Sequence, residues 1–370
     1  MTIFASHRMV RATPPHAEAM EPDSEFSRIL LALTIGLIFG IGAYAVGLPL
    51  PWMLGPMIGN TCAAMLRMPV RAPAGLRPFV IPVIGVMLGS GVTAEVFGLL
   101  GSWVLTLLLL PVFLACAAGL SFLVYRRIGG YDPVSAYYAA MPGGLNEMML
   151  LGAEAGGDER RIALAHAARI LIVITFVALF FGLILGVSSN GTGASTWVAL
   201  DAISLSDYII LGACAVIGAW GGKRLRLPAA PVFGPLILSG ATHILGWVTV
   251  APPTLFIIAA QITIGTIIGT RFVGATFAEI RRDLLLATMS SLAMLCVAVG
   301  FAEIIALQSG IPLSQAFLAY SPGGLAEMSL LALALEQDIT YVSIMHVIRI
   351  TLVIAAAPLV FAVLLKSHGK

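Results

Sequence analysis

Two sets of ionisable residues in this sequence have the types and the spacing for acid–base or ion-binding chemistry. Each set contains a glutamate soon after a Pro-Gly-Gly sequence, followed by a histidine and an arginine three residues apart. The members are Glu147, His166 and Arg169 in the first set, and Glu327, His346 and Arg349 in the second. The surrounding sequence is strongly apolar, where an ionisable side chain is costly to keep. We therefore predict that these residues form a charge cluster on a path for ions or protons.

Each of these residues also has a purely structural interpretation. A glutamate in the first turn of a helix is favoured by the helix dipole and accepts hydrogen bonds from free backbone N–H groups. A histidine and an arginine near the start of a helix can extend to the membrane surface. The recurrence of the same three types favours an inward-facing cluster, in which the arginines pair with Glu147 and Glu327. For the glutamates, the capping role and the functional role are compatible.

The two Pro-Gly-Gly sequences are the predicted binding site for a substrate. The candidate substrate-binding residues are Pro142, Gly143, Gly144, Asn146, Pro322, Gly323 and Gly324. Proline ends a helix and glycine allows the chain to reverse, so each sequence should interrupt its apolar segment. Asn146 corresponds to Ala326 in the second copy, which is a place where an asymmetric substrate could be distinguished. Drift explains that difference equally well.

The composition is that of a polytopic membrane protein. Of the 370 residues, 59% are hydrophobic and only 10% are charged, and the mean hydropathy is +1.01. Too little polar sequence is present to cover a soluble globular protein of this size. A net charge of +2 without a basic block argues against direct nucleic-acid binding. The four dispersed cysteines have neither metal-ligand nor disulfide spacing, so we predict no metal and no cofactor.

The chain is an internal duplication. A shift of 180 residues, from Gly143 to Gly323, superimposes the two Pro-Gly-Gly sequences and also the glycine pairs Gly85/Gly89 and Gly265/Gly269. Each half contains six apolar segments, most of them near the ~20 residues that span a bilayer as a helix. The predicted units are a disordered cytoplasmic leader (1–26), a first membrane repeat (27–187), an external linker (188–205) and a second membrane repeat (206–366).

The positions of lysine and arginine favour a re-entrant fifth segment in each half. If all six segments crossed the membrane, the loops with Arg126–Arg127 and Arg160–Arg161 would lie on opposite sides. If the fifth segment instead returns to its own side, every positive loop is cytoplasmic, as is usual. Each half then has five spans, and the second half is inverted relative to the first. A spanning helix that is merely kinked at the proline is the alternative.

We therefore predict an all-α polytopic membrane protein with two inverted repeats, each of about five transmembrane helices plus a re-entrant Pro-Gly-Gly hairpin. Broken helices that meet near the midplane are typical of secondary transporters. Helix N-termini that point to the midplane suit an anion. The predicted function is therefore transport or export of a small anionic metabolite by alternating access, with proton or cation coupling. The predicted location is the bacterial inner membrane, with both termini in the cytoplasm.

The expected partners are a small-molecule substrate and the lipid bilayer. We expect no direct contact with nucleic acid. The sequence leaves open whether the protein forms a homo-oligomer. We expect no enzyme activity. One alternative is a membrane-bound metal oxygenase, which needs clustered histidine or carboxylate ligands. Only His166 and His346 could meet for that purpose. The other alternative is a membrane protein that affects gene regulation indirectly.

The doubled motif resembles that of a known bacterial family. The sequences MPGGLNEMMLLG with HAARILIVI, and SPGGLAEMSLLA with HVIRITLVI, are similar to those of the AbrB-type duplicated membrane proteins. Members of that family often carry the labels "AbrB family transcriptional regulator" or "ammonia monooxygenase". The resemblance covers nearly all of residues 27–366 and implies a duplicated helical membrane protein. The layout also resembles transporters with two re-entrant hairpins and an elevator motion.

Overall fold

A computed structural model describes residues 22–48, 50–181 and 197–364. Within these ranges the secondary structure is helical and includes no β-strand, which confirms the all-α class. Most of the predicted leader and half of the predicted linker lie outside the described residues. Residues 22–26, which we assigned to the leader, belong instead to the first helix.

The helices of the first half are α1 (Pro22–Ala45), α2 (Pro51–Met65), α3 (Arg77–Ser90), α4 (Val96–Leu99), α5 (Val104–Leu123), α6 (Pro133–Ala140), α7 (Leu145–Glu154) and α8 (Glu159–Leu179). Those of the second half are α9 (Leu205–Arg224), α10 (Ala230–Ile244), α11 (Thr254–Gly269), α12 (Phe277–Ser309), α13 (Leu313–Tyr320), α14 (Leu325–Ala334) and α15 (Ile339–Leu364). Among the described helices, seven are long and apolar enough to cross a membrane: α1, α5, α8, α9, α11, α12 and α15. The chain is therefore a multi-pass membrane protein.

Short, proline-containing helices interlock the two halves. The helices α2 and α10 have 15 residues each, and both begin after a non-glycine residue in the left-handed region, Leu50 and Ala229. The helix α2 packs between α1 and α11, and α10 packs in the equivalent way between α9 and α3. We call these six helices (α1–α3 and α9–α11) the crossed-helix group.

Glycines make the contacts between the crossed helices close. A Cβ atom at Gly85 of α3 would collide with the carbonyl oxygen of Val232 on α10. A Cβ atom at Gly265 of α11 would collide with that of Met53 on α2. Helices in a bilayer associate through such close packing, because lipid offers no hydrophobic driving force between them. The small-residue pairs in the sequence therefore have the packing role that their spacing indicates.

The remaining long helices surround the two Pro-Gly-Gly sequences. In this second group, α12 packs against α5 and α8, α8 also contacts α6 and α7, and α15 contacts α13 and α14. We call α5–α8 and α12–α15 the hairpin group. It meets the crossed-helix group where α8 and α14 contact α2, α3 and α11. The residues with candidate chemistry lie in the hairpin group.

Candidate functional site

Both Pro-Gly-Gly sequences interrupt a helix, as predicted. Residues 141–144, the first break, separate α6 from α7, and residues 321–324, the second break, separate α13 from α14. The residue before each proline, Met141 or Ser321, has an extended backbone, as the proline ring requires. Each break is flanked by one helix of 8 residues and one of 10 residues. The breaks are therefore equivalent in the two halves.

The glycines of the breaks lie where little space is left for a side chain. None of the four, Gly143, Gly144, Gly323 and Gly324, is among the described glycines with positive φ. A Cβ atom at Gly144 or Gly324 would collide with the carboxylate of Glu147 or Glu327, three residues later. Each glutamate thus folds back over the start of its helix.

The two arginines bind the carbonyl groups of the breaks. Arg169 on α8 donates from Nη1 to Met141 O at 2.9 Å and from Nη2 to Gly143 O at 3.5 Å. Arg349 on α15 donates from Nη1 to Ser321 O at 2.5 Å and from Nη2 to Gly323 O at 2.6 Å. These carbonyl groups follow the end of a helix and lack intrahelical donors. The positive charge also complements the negative end of the helix dipole.

The predicted pairing of these arginines with the glutamates is wrong. Among the described residues, ion pairs join Arg71 to Glu25, Arg160 to Glu279 and Arg161 to Asp158, all near exposed helix ends. The alternative that the arginines extend to the membrane surface is also wrong, because Arg169 and Arg349 are only 3% and 2% exposed. Both arginines therefore lie inside the protein and act on backbone carbonyl groups.

The histidines are buried beside the arginines. His166 Nε2 lies 2.9 Å from Tyr138 O, and Nδ1 lies 2.9 Å from Arg169 Nη2. Because a carbonyl oxygen only accepts and a guanidinium only donates, Nε2 carries the proton and the ring is neutral. His346 Nδ1 lies 3.0 Å from Val342 O, one turn earlier on the same helix. Neither histidine contributes to a cluster of three or more possible metal ligands within the described residues.

The glutamates differ in exposure although their sequence positions are equivalent. Glu147 and its neighbour Asn146 are exposed on α7, whereas Glu327 on α14 is only 8% exposed. The same difference extends along the two helices, since Leu150 is 59% exposed and the equivalent Leu330 is fully buried. The first break is therefore accessible from one side of its hairpin, and the second break is covered.

Three polar groups at the breaks have no hydrogen-bond partner within the described residues. They are Nε of Arg169, Nε of Arg349 and Nε2 of His346, all buried. The two Nε–H groups are free donors on charged guanidinium groups, which suits an anion. Nε2 of His346 is instead a free acceptor, because Nδ1 donates to Val342 O.

The sequence alone did not reveal the carbonyl partners of the arginines. The signal that could have found them is the constant separation of 28 residues from Met141 to Arg169 and from Ser321 to Arg349. The backbone of Tyr138, which binds His166 at the same separation of 28 residues, was also missed. Helix-end carbonyl groups before a proline need donors, and a repeated arginine at a fixed distance is a suitable one.

Comparisons with known proteins agree with the duplicated motif. The family profile described as "Transition state regulatory protein AbrB" matches residues 52–365. The "Uncharacterized protein YhjN" of Bacillus subtilis (strain 168) is 26% identical, over 95% of this chain and 97% of that protein. The "Putative regulator AbrB" of Escherichia coli (strain K12) is also 26% identical, over 88% of this chain and 92% of that protein. The chain belongs to the AbrB family.

Proposed function

We propose that this protein is a secondary transporter of a small anionic metabolite that binds between the two breaks. The observation that carries the proposal is the pair of buried arginines without a carboxylate partner among the described residues. Two buried positive charges are costly, even when carbonyl groups accept some of their hydrogen bonds. A bound anion would offset these charges and accept from the free Nε–H groups of Arg169 and Arg349.

The lengths of the helices around each break support a re-entrant hairpin. A helix of 8 residues and one of 10 residues are about 12 and 15 Å long at ~1.5 Å per residue. Each is roughly half of the ~30 Å hydrocarbon thickness. A hairpin of this size enters the membrane, turns near its midplane at the break and returns to the same side.

Re-entrant hairpins make the two halves inverted repeats. The spans would then be α1, α2, α3, α5 and α8 in the first half and α9, α10, α11, α12 and α15 in the second. This proposal adds the shorter helices α2, α3 and α10 to the seven that are long enough by themselves. The number per half is odd, so equivalent helices run in opposite directions. The reciprocal packing of α2 on α11 and of α10 on α3 supports this twofold relation. The positive loops then place both termini in the cytoplasm of a cell with this protein in its inner membrane.

The unequal exposure of the two hairpins supports alternating access. In the proposed topology, α7 faces the cytoplasm and α14 faces the outside. Glu147 on α7 is exposed, while α14 packs against α3 and buries Glu327. This arrangement corresponds to a state that is open inward. If α7 became covered and α14 became exposed, the same fold would be in the outward-open state.

The folded-back glutamates supply the coupling in this proposal. The carboxylates of Glu147 and Glu327 lie at the N-terminal ends of α7 and α14, where a substrate anion would also be favoured. A substrate anion and an ionised carboxylate therefore compete for one region of positive potential. Protonation of the carboxylate removes the competitor, so proton binding and anion binding favour each other. This is the linkage that a proton–anion symporter needs.

Flux into sealed vesicles tests the proposal. The purified chain is reconstituted in proteoliposomes, and uptake of radiolabelled succinate, pyruvate and inorganic phosphate is followed with and without a pH gradient. We expect saturable uptake of at least one anion, driven by the gradient, and no uptake of methylamine. The variant Glu147→Gln should bind that anion but lose its dependence on the gradient, while Glu154→Gln, exposed at the far end of α7, should behave as the parent. Failure of every small anion to bind or move would exclude this function.

The name "Putative regulator AbrB" attaches regulation to the Escherichia coli relative. For this chain, an effect on gene expression would follow indirectly from the movement of a metabolite. We retain the prediction that it is not an enzyme and that its partners are a small solute and the bilayer.

A further inference from the structure

An apolar cavity of about 430 Å³ lies between α5, α6 and α15, beside the first break. Its wall includes Leu114, Gly119 and Phe122 of α5, Met141 of the break, and Ala356 and Val360 of α15. The hydroxyl group of Tyr137, which also lines it, donates to Ala357 O at 2.8 Å and is thereby satisfied. The cavity therefore offers apolar surface and no free hydrogen-bonding side chain from these residues.

The mouth of this cavity lies in the surface that faces lipid. On α5, Leu108 and Val112 are 68% and 52% exposed, and Leu359 on α15 is 70% exposed. Large apolar side chains exposed on two membrane-spanning helices contact hydrocarbon, so the gap between the helices opens to the bilayer interior. A Cβ atom at Gly119 would meet no atom within 4 Å, which shows that the wall is open at this position.

At four of the positions that line the cavity, the other half of the chain has a larger residue. The pairs related by the 180-residue shift are Ala115 and Leu295, Gly119 and Val299, Ala356 and Phe176, and Val360 and Phe180. In the equivalent place, α12 packs closely along α8, whereas α5 and α15 share a smaller contact. The space is therefore specific to one side of the hairpin group and does not follow from the repeat itself.

The occupant would contact the proposed transport site directly. Met141 lines the cavity, and its carbonyl group is the one that Arg169 binds. Val353 also lines the cavity, and a Cβ atom at Gly143 would lie only 2.8 Å from Cγ1 of this valine. A filled cavity therefore supports the first break from behind, and an empty one leaves it without packing on that side.

We propose that this cavity is a binding site for the acyl chain of a bilayer lipid. Its wall is apolar, its mouth opens to hydrocarbon, and its volume falls in the range of about 300–1,000 Å³ for ligand sites. Transfer of an acyl chain from bulk lipid gains packing rather than hydrophobic free energy, because both environments are apolar. The inference rests on the membrane location of α5 and α15 and does not require that the protein transports a solute.

Photolabelling with a lipid tests the site. The full chain is reconstituted with a phosphatidylcholine that carries a diazirine at the middle of one acyl chain, irradiated, digested and mapped by mass spectrometry. We expect labels concentrated on peptides of α5 and α15 that line the cavity. A variant with Gly119→Val and Ala356→Phe copies the residues of the other half and should lower this labelling to the level of the surrounding lipid-facing surface, because the larger side chains fill the space in which the acyl chain packs.

The matched control is Ala355→Phe, which places the same ring at an exposed position beside the cavity on α15. It should leave the labelling unchanged, and the smaller change Ala356→Val should lower it partially if the double variant is unstable. Labels spread evenly around the protein, or equally strong in the filled variant, would overturn the proposal. So would displacement of the probe by succinate or phosphate, since the cavity would then belong to the solute. The labelling needs no flux, so its result is independent of the transport assay.

Discussion

Arg169 and Arg349 occupy equivalent positions in the two halves, and each binds two carbonyl groups of the break in its own half. Both side chains are buried. The relation is structural, because each arginine supplies donors to carbonyl groups of a break, where no helix provides them. In the proposed function, the same two buried charges favour an anion between the breaks.

Removal of the arginine in the second half should destabilise the protein. Arg349→Ala leaves the carbonyl groups of Ser321 and Gly323 without donors in a buried place, at a cost of ~1–3 kcal/mol each. Thermal unfolding of the detergent-purified variant should therefore begin at a clearly lower temperature. Arg160→Ala, which removes an exposed ion pair with Glu279, is the control and should unfold near the parent. Equal unfolding temperatures for the two variants would show that the carbonyl contacts contribute little.

Gly324, which directly precedes α14, should be required only while the Glu327 side chain is present. Gly324→Ala places a methyl group where the Glu327 carboxylate lies, so we expect loss of stability or of folded yield. Glu327→Ala removes the carboxylate and should restore tolerance to alanine at 324. A double-mutant cycle in thermal stability measures this coupling. Additive effects would mean that the glycine serves another purpose.

The two hairpins should differ in their access to aqueous reagents. Cysteines are introduced at Asn146 and Ala326, which are equivalent in sequence but lie on the exposed and the covered hairpin. In inside-out vesicles the first should react with a membrane-impermeant maleimide at least about tenfold faster, a ratio that needs a free-energy difference of only ~1.4 kcal/mol. Equal rates from both sides would contradict an inward-open state.

The side from which cysteines in the loops are labelled should show that each half has an odd number of spans. Cysteines at Arg127 and Arg161 should both be labelled from the cytoplasm, and cysteines at Gly310 and Gln337 both from the outside. The reason is the proposed re-entrant hairpin, which would return to the side from which it entered. Labelling of positions 127 and 161 from opposite sides would indicate a continuous fifth span and remove the inverted relation.

The sequence was sufficient to predict the helical membrane class, the duplication and the position of both breaks. Those features depend on hydropathy, on a repeated motif and on proline, which act locally. The sequence was not sufficient to predict the partners of Arg169 and Arg349, because a glutamate and a backbone carbonyl are equally available as acceptors. The arginines bind the carbonyl groups because these lie in the break, where no helical N–H group serves them.

The different exposure of Glu147 and Glu327 could not be predicted from equivalent motifs. It depends on how α7 and α14 sit against the crossed-helix group, which is a property of one conformation of the whole protein. The crowding at Gly144 and Gly324 was not predicted either. It arises from a carboxylate that lies three residues later in the chain and folds back over the start of the helix.

The close contacts of Gly85 with Val232 and of Gly265 with Met53 join helices from different halves. During synthesis, α3 enters the membrane before α10 has left the ribosome. The glycine-containing face of α3 therefore has no packing partner until a helix encoded about 150 residues later is inserted. The first half therefore completes its packing only when the second half is inserted. Biogenesis of this protein is a single cooperative assembly of two intertwined halves, and a chain that ends after α8 would leave the crossed-helix group without half of its members.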